Sequence, residues 1–157
     1  MRRRVLILEG TCGAGKSTLL KRLSETTQVG SVWTQKTTYG PIVLDEDKGT
    51  LDDSLNFSIL QRLTMRLEDE LQQQNRGLVL DTFHITQYLR PGVLTKKSFT
   101  AIDQKLESLG ARIVFLTMSK DDIAERTILQ RKHTGFFNYI QKYGFIVEQL
   151  VEYFSRE

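Results

Sequence analysis

The stretch that restricts this chain most is Gly10-Thr11-Cys12-Gly13-Ala14-Gly15-Lys16-Ser17, followed by Thr18. It spells G-x-x-x-x-G-K-S, a phosphate-binding pattern whose meaning depends on what stands on either side. Before it, Val5-Leu6-Ile7-Leu8 is a short apolar run of the kind a buried parallel strand shows. After it, Leu19-Leu20-Lys21-Arg22-Leu23 continues as an amphipathic helix. Glycines let the backbone wrap an anion without a Cβ in the way, and the following helix aims its positive dipole end at the same place. Gly10 to Thr18 are therefore expected to hold nucleotide phosphates, with Lys16 at the β and γ phosphates and the Ser17 hydroxyl on Mg²⁺. A glycine-rich turn that matches by accident is the competing reading, and the flanking strand and helix weigh against it.

The bulk numbers add limits. A chain of 157 residues is expected to form one domain, 1–157, with a real core. Its 39% hydrophobic and 26% charged content argue against global disorder. No apolar run approaches the roughly 20 residues of a membrane helix. The apolar run after Met1-Arg2-Arg3-Arg4 is too short for a secretory signal and leads straight into the phosphate loop. A single cysteine excludes internal disulfides and fits a reducing compartment, so the cytoplasm is the expected location. The net charge of +3 is mild: Arg2-Arg3-Arg4 reads as a solvated start to the first strand rather than a nucleic-acid arm.

In chain order, a strand over Arg4–Glu9 is followed by the loop, a helix over Lys16–Ser24 and a second strand at Ser31–Thr34. Thr37 to Thr50, with Tyr39-Gly40-Pro41, Asp45-Glu46-Asp47 and Gly49, has loop chemistry. From Leu51 the pattern turns helical: Leu55, Ile59, Leu60, Leu63, Leu67 and Leu71 recur at steps of three and four residues, predicting one apolar face. Asp52 or Asp53 is expected to cap this helix and Gly77 to close it. Leu78-Val79-Leu80-Asp81 reads as a buried strand ending in a carboxylate, where parallel α/β sheets bind their ligands. A loop with Arg90-Pro91-Gly92 leads to a helix near Ser98–Ser108, ended by Gly110, and then to a strand over Ala111–Thr117. Ser119 caps a helix carrying Glu125, Arg126 and Arg131-Lys132-His133, and a last helix is predicted at about 136–154. This alternation predicts a three-layer α/β/α fold of the phosphate-loop NTPase type, with a parallel sheet of about four or five strands.

With these residues in place, the chain resembles the thymidylate kinase and deoxynucleoside kinase group of phosphate-loop kinases. The features that carry this are Glu9-Gly10 before the loop, and Phe57 with Gln61, Arg62 and Arg66 on the long helix. Asp81-Thr82-Phe83 stands where the group has Asp-Arg-Tyr/Phe, and Arg126 and Arg131 precede Phe136-Phe137-Asn138-Tyr139 and Tyr143. The resemblance implies transfer of the γ-phosphoryl of ATP, with Mg²⁺, to a nucleoside monophosphate, a nucleoside or a related small molecule. It implies that Phe57 stacks on the acceptor base, or else packs in the core. Gln61 would read the base edge, or else be a solvated helix residue. Asp81 would organise Mg²⁺ or position the acceptor, and Lys16, Arg126 and Arg131, on a short lid near 126–135, would neutralise the phosphoryl group in flight. His84, just past Asp81, reads as a surface-loop residue in preference to a substrate contact.

The departures from the group lie on the acceptor side. Cys12 replaces the loop carboxylate of the thymidylate branch, Gln35-Lys36-Thr37 replaces the second strand's Glu-Pro element, and Thr82 replaces the motif arginine. Lys36 or Arg90 are the candidates to restore the positive charge, and Glu9 or Asp81 the carboxylate. The group's last strand and adenine-gripping loop have no counterpart before Glu157, which suggests a loosely held base, a partner or a shortened form. The expected partner is a small phosphate acceptor, with no membrane, nucleic acid improbable on these grounds, and a homodimer implied by resemblance alone. A nucleotide-binding switch or partner protein without kinase activity is the alternative, and a polynucleotide kinase a weaker one.

Overall fold

The computed structural model describes residues 5–10, 13–26, 29–38, 41–42, 53–73, 76–89, 93–123 and 125–126. Four strands, β1 (Val5–Gly10), β2 (Val29–Trp33), β3 (Gly77–Asp81) and β4 (Ala111–Leu116), form one parallel sheet in the order β2-β3-β1-β4. Register runs Val5 to Leu78, Leu6 to Val79, Ile7 to Leu80 and Leu8 to Asp81 between β1 and β3. Between β2 and β3 it shifts at Val29/Ser31 and then pairs Val32 with Val79 and Trp33 with Leu80.

Residues paired across a parallel ladder point to the same face, and neighbours along a strand point to opposite faces. That rule sorts the core into two. On one face Val5, Ile7, Leu78, Leu80 and Trp33 meet Leu60, Leu63, Leu67 and Leu71 of α3 (Asp53–Gln73) and Ile102 and Leu106 of α5 (Lys96–Ser108). On the other face Leu6, Leu8, Val79 and Val32 meet Leu19, Leu20 and Leu23 of α1 (Lys16–Ser24). Strands apolar on both faces, clothed by helices on both, are the three-layer α/β/α arrangement expected from the sequence. The edge strand β4 differs, since Ile113 and Val114 are partly exposed.

The chain divides into two compact units, Met1–Glu9 with Ser17–Val114, and Gly10–Lys16 with Phe115–Glu157. Among the described residues, no helix is long and apolar enough to cross a membrane.

Several local expectations change. Gln35–Thr38 is not strand or loop but a short helix, α2, because the Thr34 carbonyl accepts from the N–H groups of Thr37 and Thr38 at 2.8 and 3.1 Å. Leu55 lies outside the apolar stripe of α3 and is exposed, while Asn56 is buried and donates to the Val93 carbonyl at 3.3 Å. Of the two cap candidates for α3, Asp52 lies outside the described residues, and Asp53 binds a neighbouring helix start: its carboxylate accepts from Thr95 N at 2.6 Å and from Ser98 Oγ at 2.9 Å. Thr95 is the N-cap of α5, accepting from Ser98 N, so that helix begins before Ser98. Gly77 opens β3 rather than closing α3. Between β3 and α5, where a loop was expected, His84–Leu89 forms α4. After β4, Ser119 does cap the next helix, α6 (Lys120–Ile123), accepting from Asp122 N at 3.2 Å. The predicted final helix at 136–154, with Phe136, Phe137, Asn138, Tyr139 and Tyr143, lies outside the described residues.

Leu67 is fully buried at the centre of the α3 stripe. Leu67→Ala is expected to lower the unfolding free energy by about 2–5 kcal/mol, read from urea denaturation.

Candidate functional site

The phosphate loop leaves β1 at Gly10, which has φ +119. A Cβ there would stand 2.0 Å from the Leu116 carbonyl oxygen, so both conformation and space demand glycine. Gly13 and Gly15 follow with φ +88 and +93. The Lys16 ammonium is buried and donates to the Gly10 carbonyl, spanning the mouth of the loop. Ser17 and Thr18 stand exposed in the first turn of α1. Ala14 is half-buried, and Thr11 and Cys12 lie outside the described residues.

The carboxyl ends of β1 and β3 carry two buried acids, and strand alternation sends them to opposite faces. Asp81 is the register partner of Leu8, so it shares the α1 face. Glu9, one residue on, turns to the face of α3 and α5. There its carboxylate is fully buried and accepts from Phe83 N at 2.8 Å, Ile85 N at 3.2 Å and Thr86 Oγ1 at 2.7 Å. A charge at zero exposure persists only when its oxygens are hydrogen-bonded. Glu9 is therefore committed to holding the start of α4.

Asp81 is differently placed. One oxygen, Oδ1, accepts from Thr82 Oγ1 at 3.2 Å, and Oδ2 accepts from no described residue. Its backbone carbonyl accepts from the buried Thr38 hydroxyl at 2.8 Å, which ties α2 to the end of β3. Thr82 has φ +63, a left-handed conformation that a β-branched residue rarely adopts and that costs about 1–3 kcal/mol. Three contacts hold it there: its N–H donates to the Leu8 carbonyl at 2.9 Å, its hydroxyl donates to Asp81, and Gln35 Nε2 donates to that hydroxyl at 3.3 Å. Thr82 and Gln35, both acceptor-side departures, are thus in contact with each other.

Of the remaining predicted site residues, Phe57 is half-buried and packs against the core cluster of the α3 face, while Gln61 and Arg62 are exposed. Arg66 stacks its guanidinium 5.0 Å from the Trp33 ring centre and pairs with Glu70 at 3.3 Å, a contact that also receives Trp33 Nε1. Lys36 is exposed on α2. In the other unit, Arg126 is exposed and lies 3.9 Å from Asp122. Arg90, Arg131, Lys132 and His133 lie outside the described residues. His84 is corrected: it is fully buried, with Nε2 2.9 Å from Asp103 Oδ1. Thr86 and Gln87 carried no expectation from the sequence, because α4 is only six residues long, too short to show a period. The polar spacing His84-x-x-Gln87 was the available signal.

No protein-family profile matches the sequence, and no curated protein does. Solved structures do match. The YorR protein of Bacillus subtilis, in complex with phosphorylated GDP, aligns with TM-score 0.60 and 17% identity over 97% of this chain and 77% of that one. A gluconokinase from Sinorhizobium meliloti aligns with TM-score 0.54 and 15% identity over 99% and 74% of the two chains. Thymidylate kinase from Candida albicans aligns with TM-score 0.51 and 18% identity over 80% and 67%. At such identities the likeness establishes the fold: this chain has the fold of phosphate-loop kinases.

Glu9→Ala would strand the buried N–H group of Phe83 and the half-buried one of Ile85. It is expected to cost roughly 2–4 kcal/mol of stability and to loosen α4, read by urea unfolding and amide exchange of residues 83–87.

Proposed function

We propose that this protein is a phosphotransferase that moves the γ-phosphoryl group of ATP to a nucleoside monophosphate, a nucleoside or a related small molecule. The observation that carries this reading is the loop itself: glycines with positive φ at positions 10, 13 and 15, and the buried Lys16 closing on Gly10. The kinase fold supports it.

Residues suited to Mg²⁺ are the Ser17 hydroxyl and the Asp81 carboxylate. Both offer hard oxygen donors, and Asp81 Oδ2 takes no bond from a described residue. Among the described residues no cluster of three or more His, Cys, Asp or Glu could hold a metal ion. When bound, Mg²⁺ neutralises charge on the phosphate oxygens.

Lys16 and the loop N–H groups hold and orient the β and γ phosphates. Asp81 positions the acceptor oxygen and takes its proton where the acceptor is a hydroxyl. The bond from the γ phosphorus to the β–γ bridging oxygen breaks as the bond to the acceptor oxygen forms, and ADP leaves. Positioning and charge account for such a reaction, since it needs no covalent intermediate on the protein. Arg126 and Arg131 are assigned to charge neutralisation on the transferred group.

A nucleotide-binding switch without transfer is favoured by one observation, the Thr82–Gln35 contact in place of a motif arginine.

Lys16→Ala is expected to abolish transfer, and Asp81→Asn to lower kcat by about 100-fold or more at unchanged ATP affinity. Mass spectrometry of products from ATP, Mg²⁺ and an acceptor panel checks both. Undiminished transfer by either variant removes the mechanism. ATP binding without transfer to any acceptor supports the switch. Phe57→Ala should raise the acceptor KM by about tenfold and leave that of ATP in place, whereas an equal rise in both returns Phe57 to the core.

A further inference from the structure

Thr82 is buried, 4% exposed, and holds φ +63, a conformation that glycine or asparagine adopts at little cost and a β-branched residue adopts under strain. Strain of this kind persists where the surroundings over-determine it, and it concentrates at sites that use the side chain. The chain reversal after β3 accounts for the backbone, since Thr82 N–H donates to the Leu8 carbonyl at 2.9 Å. It does not account for the hydroxyl, because a glycine would make the same main-chain bond.

The hydroxyl has two partners, Asp81 Oδ1 at 3.2 Å and Gln35 Nε2 at 3.3 Å. A carboxylate only accepts and an amide nitrogen only donates, so the single hydroxyl proton is directed at Asp81 and a lone pair receives Gln35. The opposite orientation of the Gln35 amide would set an acceptor against the hydroxyl and draw its proton away from a carboxylate that is itself 4% exposed. The result is a one-way chain of donors, Gln35 to Thr82 to Asp81, in which each link polarises the next. Gln35 is exposed, so water competes for the first link, and the link to Asp81 is the buried one.

Asp81 ends β3, where its side chain can turn about two torsions. Pairing with Leu8 fixes its place in the strand, and the buried Thr38 hydroxyl holds its carbonyl at 2.8 Å. Neither contact selects an orientation of the carboxylate. The bond from Thr82 to Oδ1 does, and it leaves Oδ2, which takes no bond from a described residue, as the oxygen presented. We propose that Thr82 is a positioning residue: its hydroxyl holds the Asp81 carboxylate in one orientation, with Gln35 as the donor that aims it. The proposal rests on the phosphotransferase reading, in which Asp81 positions the acceptor oxygen. It gives the residue that replaces the motif arginine a different task, acting on Asp81 and not on the substrate. A displacement of about 1 Å in a reacting group can cost about 100-fold in rate, so one hydrogen bond between adjacent residues can set it.

The test is steady-state transfer by the full chain from ATP and Mg²⁺ to an acceptor panel, with urea unfolding to establish that each variant is folded. Thr82→Val keeps the β-branch and loses the hydroxyl, Thr82→Gly loses both, and Thr82→Ser keeps the hydroxyl. Thr82→Val and Thr82→Gly are expected to lower kcat by about tenfold or more at unchanged KM for ATP and acceptor, and Thr82→Ser to retain kcat within about threefold. A residue that only shapes the turn would leave Thr82→Val at the wild-type rate, which overturns the proposal; if Thr82→Val does not fold, an undiminished rate in Thr82→Gly does the same. In an Asp81→Asn background Thr82→Val should add no further loss, because its effect passes through that carboxylate. An additional loss there, or a loss that falls on the acceptor KM, also overturns it. Proton exchange of the Thr82 hydroxyl, followed by NMR, gives a readout apart from turnover: slow exchange is expected in the wild type and fast exchange in Asp81→Ala. Fast exchange in the wild type overturns the proposal whatever the kinetics. Full transfer by Thr82→Val would thus refute the role of Thr82 and preserve the kinase. Slow exchange abolished by Asp81→Ala, in a wild type that transfers to no acceptor, would refute the kinase and preserve Thr82 as the residue that holds Asp81.

Discussion

The buried carboxylate of Glu9 is the constraint on which the site depends. An ion at zero exposure is tolerable only because three donors reach it, and all three come from the first residues after β3. That requirement dictates where the chain goes when it leaves the sheet. Asp81 ends β3, Thr82 reverses direction at φ +63, and the N–H groups of Phe83 and Ile85 then face Glu9. The strain at Thr82 is thus offset locally, since removing the reversal would leave a buried charge and two backbone donors without partners.

Parallel pairing supplies the rest of the geometry. With Leu8 opposite Asp81, the two acids at neighbouring strand ends must diverge, one to each face. Their roles separate accordingly. Glu9 takes three hydrogen bonds and holds the start of α4. Asp81 shares its face with α1, whose first turn carries Ser17, and it retains an oxygen available to a ligand. A second acid at a strand end is thus no guarantee of a second carboxylate open to a ligand. Neighbouring carboxylates are told apart by who already occupies their lone pairs.

What the sequence disclosed follows the length over which each signal could accumulate. The α3 stripe at Leu60, Leu63, Leu67 and Leu71 repeats over 21 residues and was legible, as were the apolar strands β1 and β3. The glycine pattern was legible because its spacing encodes backbone conformation, and positive φ stands at Gly10, Gly13 and Gly15. The short helices α2 and α4 were not, whereas α6, equally short, was announced by its Ser119 cap. At α4 the local signals (Thr82, a histidine, Arg90-Pro91-Gly92) all read as loop, and what folds it is a carboxylate more than 70 residues earlier in the chain. Asp53 makes the same point. Its position suggests a cap for its own helix, but its oxygens are taken by Thr95 and Ser98, more than 40 residues downstream. Partners distant in sequence leave no periodic trace, so such roles emerge only from the folded chain.

The same reasoning bears on why the acceptor side departs from the kinase pattern while the phosphate side does not. The phosphate loop works through its backbone, and its ligand is common to the whole class, so the demands on its sequence are conformational. The acceptor side works through side chains and must differ with each acceptor. Replacing a motif arginine by Thr82 removes a long cation and leaves a short hydroxyl, which then forms with Gln35 a neutral chain hydrogen-bonded to the Asp81 carboxylate. A neutral chain cannot balance a second phosphate as an arginine would, but it can align an oxygen against Asp81 and keep that carboxylate in place.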